Sequence, residues 1–496
     1  MMRSVSSLLV AVLALALAAC AVGPDFKRPD KPGMSSYESA PLLEKTESAP
    51  GEGGAAQRFA QGQDIPSVWW ELFRSQPLNH LIAQAFRANP DLQAAEAALR
   101  VASEDAAART GVLFPSISAN FDTARQKISG AGGGGQFKGS IFSVHNASVN
   151  VAYGLDLFGG TRRSVEVLAA QEEYQKFQVE AARISLSTNV VTTAVQEASL
   201  RGQIAATKAI IERQTQQRDL LQQQMDLGAI NRAAVLAQET ALAQTRATLP
   251  PLEKQLAQLR HALSVLVGQF PNEEPKGMFE LSSLKLPETL PVTLPSQLVE
   301  QRPDIRAAEA NLHAASAAIG VAIANRLPQI TLSASIGTEA NDLSRLFSSG
   351  SGIWSLGGGV AQKLFDAGTL AHRQGSAEAQ YDVAAAQYRK VVLAAFQDVA
   401  DTLRALQADA VALRAQTEAA QAASENLRLA EEQYKMGAIS YLALLDAQQA
   451  EQQTQIALVQ ARALRFADTA ALFQALGGGW WNRAADTNQS MAARTP

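Results

Sequence analysis

Two stretches of about 65 residues, Thr161 to about Leu227 and Gly368 to about Met436, contain no proline and read as uninterrupted helix. At 1.5 Å per residue each would be roughly 100 Å long. No globular core is that thick. In the second stretch Leu403, Leu406, Ala410, Leu413, Thr417, Ala420, Ser424 and Leu427 step by alternating threes and fours, the seam of a coiled coil. Just before it Ala395, Val399 and Leu403 step by fours, a stutter that unwinds the supercoil toward straight helices. Each long helix turns back, at Gly228-Ala229-Ile230 or Gly437-Ala438-Ile439, into a return helix. Pro250-Pro251 should break or restart the first return helix.

The same order of elements occurs twice. NPDLQAAEAAL (Asn89 to Leu99) returns as RPDIRAAEANL (Arg302 to Leu312), with 7 of 11 residues identical. Pro115 and Pro328, Leu157-Phe158 and Leu364-Phe365, and Gly228 and Gly437 follow at offsets of 213, 207 and 209 residues. A unit of about 210 residues is a duplicated architecture, far longer than the tandem period of a solenoid.

Between the helices the period changes. From Pro115 to Thr123, Ile117, Ala119 and Phe121 alternate with Ser116, Ser118, Asn120 and Asp122. From Ser148 to Leu157, Val149, Val151, Tyr153, Leu155 and Leu157 alternate with small or polar residues. Pro328 to Gly337 repeats the pattern, and Trp354 to Phe365 supplies a less regular partner. Strict alternation of this kind suits a barrel strand with one face in lipid and one in water. A soluble sandwich is the alternative, but the neighbouring helices leave it no second sheet to pack on. The Gly130 to Gly135 segment reads as a flexible loop; Gln136-Phe137 precede Lys138, so it is not a phosphate cradle.

The amino terminus has the layout of an export signal: Arg3, an apolar stretch from Leu8 to Leu17, and Leu17-Ala18-Ala19-Cys20 in the form of a lipoprotein cleavage box. Cys20 is the only cysteine, so no intrachain disulfide can form and an acyl acceptor is the better reading than an ordinary signal peptide. N-acyl and S-diacylglycerol groups on Cys20 are the expected modification, with no other cofactor. Residue 21 is Ala rather than the inner-membrane retention residue Asp, so the expected address is the outer membrane. A net charge of -4 without dense basic stretches argues against nucleic acid. Beyond the signal no apolar run approaches the ~20 residues of a spanning helix, so any membrane crossing is by strands.

These segments give a domain plan. A signal peptide (1–19) precedes an extended tether (20–64) and a first repeat (65–270) with a β-hairpin at 113–158. A Pro-rich linker (271–295) joins a second repeat (296–478) with a hairpin at 328–366, and a tail (479–496) carries Trp480-Trp481 at its base. The fold class is mainly α with membrane β. Four amphipathic strands cannot close a barrel, and an open edge in lipid leaves backbone groups unpaired at several kcal/mol each. The chain is therefore expected to form a homotrimer, a twelve-stranded outer-membrane barrel continued by a long periplasmic α-helical barrel.

The block LPSQLVEQRPDIRAAEANLHAASAAIGVAIANRLPQITLSASIG (Leu294 to Gly337) closely resembles the signature of the TolC-like outer-membrane factors, in their lipoprotein (NodT-type, OprM-like) branch. CAVGPDFKRPD (Cys20 to Asp30), WWELF (Trp69 to Phe73) and KLFDAGTLAHR (Lys363 to Arg373) are similar to the same family; Leu327 departs from it, where a bulky aromatic is common. The resemblance implies a passive exit duct, docked to a periplasmic adaptor and a proton-driven inner-membrane transporter, that carries drugs or small solutes across the outer membrane. A duct for type I protein secretion would share these features, and a coiled-coil spacer lipoprotein would need no amphipathic hairpins.

No enzyme constellation is present: His80, His145, His261, His313 and His372 are scattered, without metal-ligand spacing, and no nucleophile elbow occurs. Relatives close the periplasmic end with acidic and apolar rings, and YKMGAISYLALLDAQ (Tyr434 to Gln448) matches that tip. The resemblance thus assigns Asp446 and Leu442 to the pore constriction, with Ala237 at the first-half position matching Asp446 and Ala443 where some relatives carry a second acid. Gly228 and Gly437 are the helix-tip turns, and Asp226, Arg232, Tyr434 and Lys435 are candidate latches between helices.

Overall fold

The computed structural model describes residues 21–129, 140–273 and 277–483. Cys20 with its signal segment, the Gly130 to Gly135 loop and the last dozen residues lie outside the described residues. The chain divides into two compact units. The first takes the described part of Met1–Pro29 with Ala98–Gln175 and Ala307–Arg389; the second takes Asp30–Ala97, Lys176–Arg306 and the described part of Lys390–Pro496.

The first unit holds one four-stranded antiparallel sheet of β2 (Ser116–Lys127), β3 (Ile141–Leu155), β5 (Gln329–Ala340) and β6 (Gly352–Ala361), in the order β2-β3-β5-β6. The two hairpins expected from the alternation are adjacent in it, joined by the β3–β5 ladder. Each leads into a 67-residue helix, α3 (Gly160–Asp226) or α7 (Thr369–Lys435), each roughly 100 Å long. A carboxylate caps each start. Asp156 accepts from the Thr161 and Arg162 backbone N–H at 2.8 and 2.9 Å, and Asp366 accepts from those of Gly368 and Leu370 at 3.0 Å. These bonds satisfy orphan amides of the first turn and place negative charge at the positive end of the helix dipole.

In the second unit α3 and α7 end at tight turns. Gly228 and Gly437 take φ of 75° and 71°, a left-handed conformation that glycine adopts without a Cβ penalty. Ala229 N–H donates to Gln224 O and Ala438 N–H to Gln433 O, both at 2.8 Å, closing the same C-terminal motif in each repeat. Asn231 and Ser440 then cap the return helices α4 (Arg232–Leu266) and α8 (Tyr441–Ala475). The predicted seam of α7 is buried at all but one position: Ala395, Val399, Leu403, Leu406, Ala410, Leu413, Thr417, Ala420 and Leu427 are buried, Ser424 is only half-buried, and Leu413 and Ala420 pack with Leu458 and Ala461 of α8. At the head of the unit Trp69 stacks on Phe473 at 5.2 Å, and Phe73 lies 6.3 Å from Phe466.

Three expectations need correction. Helix α4 runs through Pro250 and Pro251 without a break. Both prolines are exposed, so carbonyls that lose an N–H partner can turn to water, and Thr248 Oγ1 donates to Thr245 O at 2.7 Å in the turn before them. Segments read as tether and linker contain paired strands: β1 (Arg58–Gln61) and β4 (Thr289–Val292) form a parallel pair, and Tyr37 donates to Thr293 O at 2.7 Å. Four-residue strands, one with Pro291 inside, leave no readable alternation, and a two-stranded pair offers the free edge that proline needs. Finally, helix α6 (Pro303–Ala324) is long and apolar enough to cross a membrane, with a mean hydropathy of 1.2. More than half of that apolar window, 56%, is buried inside the protein, as in a core helix.

Candidate functional site

Cross-strand register sorts the sheet into two faces. Ile117, Ala119 and Phe121 of β2 stand beside Val151, Val149 and Ala147 of β3, which stand beside Ala334, Ile336 and Thr338 of β5. Leu356 and Trp354 of β6 complete two of these rows, and Tyr153–Leu332 and Leu155–Ile330–Val360 continue the face toward the helices. On the other face Ser118 and Asn120 meet Asn150 and Ser148, which meet Ser335 and Gly337, and Ser335 shares a 2.9 Å hydroxyl hydrogen bond with Ser355.

One side is thus apolar across all four strands, yet it is uncovered. Ile117, Ile336, Trp354, Leu356 and Val360 are 68% to 79% exposed, which in water would be a large unfavourable patch. The apolar rows span nine residues of strand, eight steps and so about 27 Å of contour or about 21 Å at a barrel's tilt, close to the ~25 Å apolar band of outer-membrane barrels. Within the described residues β2 and β6 have no partner on their outer sides. The arrangement is a wall segment, lipid on one side and water on the other.

Helix α6 begins at the RPD block, and the structure explains that motif. Every N–H of the buried Arg302 guanidinium is used: Nε and Nη2 donate to Asp304 at 3.0 and 2.6 Å, Nη2 to Asp398 at 3.0 Å, and Nη1 to Ala475 O at 3.0 Å and Ala395 O at 3.3 Å. Burial works against this cation, but the two carboxylates outweigh it and raise its pKa. Ala475 is the last residue of α8, so Arg302 closes a helix end that lacks an amide partner. The first repeat does the same job with an amide. Asn89 donates to Leu266 O, at the end of α4, at 3.0 Å, and accepts from Leu92 N–H at the start of α2 (Pro90–Gly111).

Asp446 and Leu442 lie one turn apart on α8, both exposed, Leu442 at 65%, on the side opposite buried Leu444, Leu445 and Ala447. They therefore share a face free of the chain's own packing. The latch candidates are not brought together. Tyr434 meets Tyr441 edge-on at 5.7 Å, Asp226 accepts from Gln222 at 2.9 Å, and Arg232 and Lys435 are exposed side chains. The ties that do join the two helical hairpins went unread in the sequence: Tyr441 donates to Gln238 Oε1, Arg213 pairs with Glu451 at 2.9 Å, and Gln460 donates to Gln203 at 3.1 Å. Glutamines and single charges scattered over long helices carry no pattern that would have marked them.

The chain directly after Cys20 is clamped in the first unit. Arg163 of α3 donates to Val22 O at 3.2 Å and pairs with Asp25 and Glu166 at 2.7 and 2.8 Å. His313 of α6 meets Glu166 at 2.8 Å and stacks on Phe26 at 4.5 Å. Burial would raise Glu166, but Arg163 and His313 outweigh it and hold the carboxylate below its usual range. Gly23, at φ 97°, lies so close that a Cβ there would meet Gly320 Cα at 2.4 Å.

The comparisons with known proteins agree with this geometry. A family model described as Outer membrane efflux protein matches residues 81–269 and 294–478. The chain is 30% identical, over 99% of each sequence, to the toluene efflux pump outer membrane protein TtgC and to the antibiotic efflux pump outer membrane protein ArpC, both of Pseudomonas putida. It superposes on the solved outer-membrane channel OprN with a TM-score of 0.81 at 28% identity, covering 93% of this chain and 100% of that one.

Proposed function

We propose, from the premise that this chain belongs to the outer membrane efflux protein family, that three copies close a twelve-stranded pore and act as the exit duct of a tripartite efflux pump. The protein is an outer-membrane efflux channel reaching into the periplasm. The observation that carries the trimer is the pairing of one continuous apolar face with two unpaired sheet edges. Edge β2 of one copy meets β6 of the next, in the antiparallel sense the strand directions require.

In this reading the energy comes from an inner-membrane transporter, proton-driven, reached through a periplasmic adaptor that docks at the helical tips. The cargo is drugs or small solutes. Two relatives with equal identity to this chain are named for toluene and for antibiotics, so the duct's own residues set the cargo only loosely. Cys20 carries the acyl groups, and the Arg163 clamp on residues 22–25 supports that role by holding the chain next to the cysteine at a fixed place on the first unit. Asp446 and Leu442 form the constriction, supported by their shared exposed face.

The test is direct. The purified, acylated protein should be trimeric in detergent and conduct ions in planar bilayers; a stable, non-conducting monomer sinks the proposal. Asp446→Ala should widen conductance and lower cation preference, and unchanged values of both would remove Asp446 from the constriction.

A further inference from the structure

The charges on the sheet are sorted by face. On the apolar register the charged side chains are Arg125 and Lys127, two residues apart on β2 beside Ser143 and Ile141. They follow Phe121, where the apolar rows end, with only the Thr123–His145 pair, hydrogen-bonded at 3.1 Å, in between. On the opposite register at the same end stand the acids Asp122 and Glu339, with Asn146 between them donating to Glu339 at 3.5 Å. The sheet itself separates the two signs, and among the described residues neither Arg125 nor Lys127 forms an ion pair.

The chain fixes which end this is. Strands join the helices at Ser116, Leu155, Gln329 and Ala361, so the end bearing Arg125 and Lys127 faces away from the periplasm. Two to three rows above an apolar band that ends at Phe121, these cations stand roughly 14 to 20 Å of strand beyond it, or about 10 to 16 Å along the membrane normal at a barrel's tilt, which carries them out of the hydrocarbon and into the headgroup layer. On the lipid side there, the available counter-charge is the phosphate of the surrounding lipid.

Resting on the barrel reading above, we infer that Arg125 and Lys127 form a binding site for the phosphate groups of a phosphorylated glycolipid in the outer leaflet. A guanidinium binds phosphate in a two-pronged fashion and an ammonium adds a mobile second charge roughly 7 Å away, a spacing suited to one bulky headgroup. Three copies of the site would surround the pore, each on an edge strand where one subunit meets the next.

The experiment titrates delipidated protein in detergent with a bisphosphorylated disaccharide glycolipid, its dephosphorylated form, and phosphatidylglycerol, read by native mass spectrometry. The bisphosphorylated lipid should bind in preference to both others, and Arg125→Gln with Lys127→Gln should weaken it roughly fivefold per charge removed. Asp122→Asn with Glu339→Gln, on the opposite face, should leave it unchanged. Equal binding of all three lipids by the unmodified protein, which needs no variant to fold, overturns the inference, as does a double variant that binds like the parent. Single-channel conductance retained by the double variant shows the barrel intact, so loss of lipid binding and failure of the barrel reading are told apart.

Discussion

Replacing Arg302 by alanine should be the most damaging single change in the RPD block. The side chain is buried and closes five hydrogen bonds, but these are not equal. The Asp304 and Asp398 side chains are 41% and 55% exposed, so they rehydrate and contribute about 0.5–1 kcal/mol each. Ala475 O is buried at a helix end, and leaving it without a donor costs about 1–3 kcal/mol. Ala395 O lies mid-helix in α7 and has a ladder donor, so its loss is small. With the packing of the arginine stem the total is about 4 kcal/mol. Asn89→Ala removes an N-cap and one carbonyl partner, about 2 kcal/mol. Arg302→Lys keeps the charge but not the fork, and should recover about half of the alanine loss. Urea unfolding followed by tryptophan emission suits this measurement, because four of the five tryptophans, Trp69, Trp70, Trp480 and Trp481, belong to the second unit. Hydrogen exchange should show the last turn of α8 opening in Arg302→Ala while the end of α4 stays protected. The reasoning is refuted if Arg302→Ala costs less than Asn89→Ala, or if the end of α8 exchanges as in the parent.

Three further outcomes follow from the geometry. Leu356→Arg, in the middle of the lipid face, should cost about 2–4 kcal/mol, measured as loss of heat resistance in detergent or vesicles, whereas Ser355→Arg on the wet face should cost little. Asp409 of α7 is pushed up to about 7 by burial, reinforced by Asp468 and opposed by Arg465. Because its pKa is raised on folding, its stabilising share is complete below about 4 and lost as pH climbs toward about 7. The unfolding free energy from urea titration should therefore fall between pH 5 and pH 8 by on the order of 1 kcal/mol after solvent screening, and Asp409→Asn should flatten that slope. Gly268→Ala should be far worse than Gly228→Ala: both sit at φ above 70°, but a Cβ on Gly268 would lie 2.2 Å from Ala88 O while Gly228 has open space. Thermal unfolding should show about 1 kcal/mol lost at Gly228 and severalfold more at Gly268.

The parts of this fold that sequence revealed are those built from many copies of one simple signal. Alternation marked three strands of the sheet cleanly and the fourth less so, and most of the seam positions that α7's threes and fours picked out are buried, although Ala384, Tyr388, Phe396 and Ala430 are buried outside that pattern. The tips were legible because Gly228 and Gly437 each stop a long helix. What stayed hidden depends on tertiary partners. Strands β1 and β4 are too short to show a period, and each exists because the other is there. Pro250 and Pro251 survive inside α4 because they face water, which no local rule could report. Arg302 and Asn89 read as variants at one repeated position, and only the helix ends at Ala475 and Leu266 reveal that they perform the same task. The pore-end assignment of Asp446 came from resemblance, and the contacts that tie the hairpins, such as Tyr441 with Gln238, came from coordinates alone.

The unpaired outer strands of the sheet carry a genetic consequence. A chain that keeps a sound β2 but has a spoiled β6 can still join two healthy sisters, and the ring it enters cannot be completed. Mixed in equal amounts with the parent, such a chain would leave only roughly one assembly in eight free of it, since every defective member poisons the whole. Alleles of this kind should behave as dominant, and channel activity should fall much further than the dose of the damaged gene.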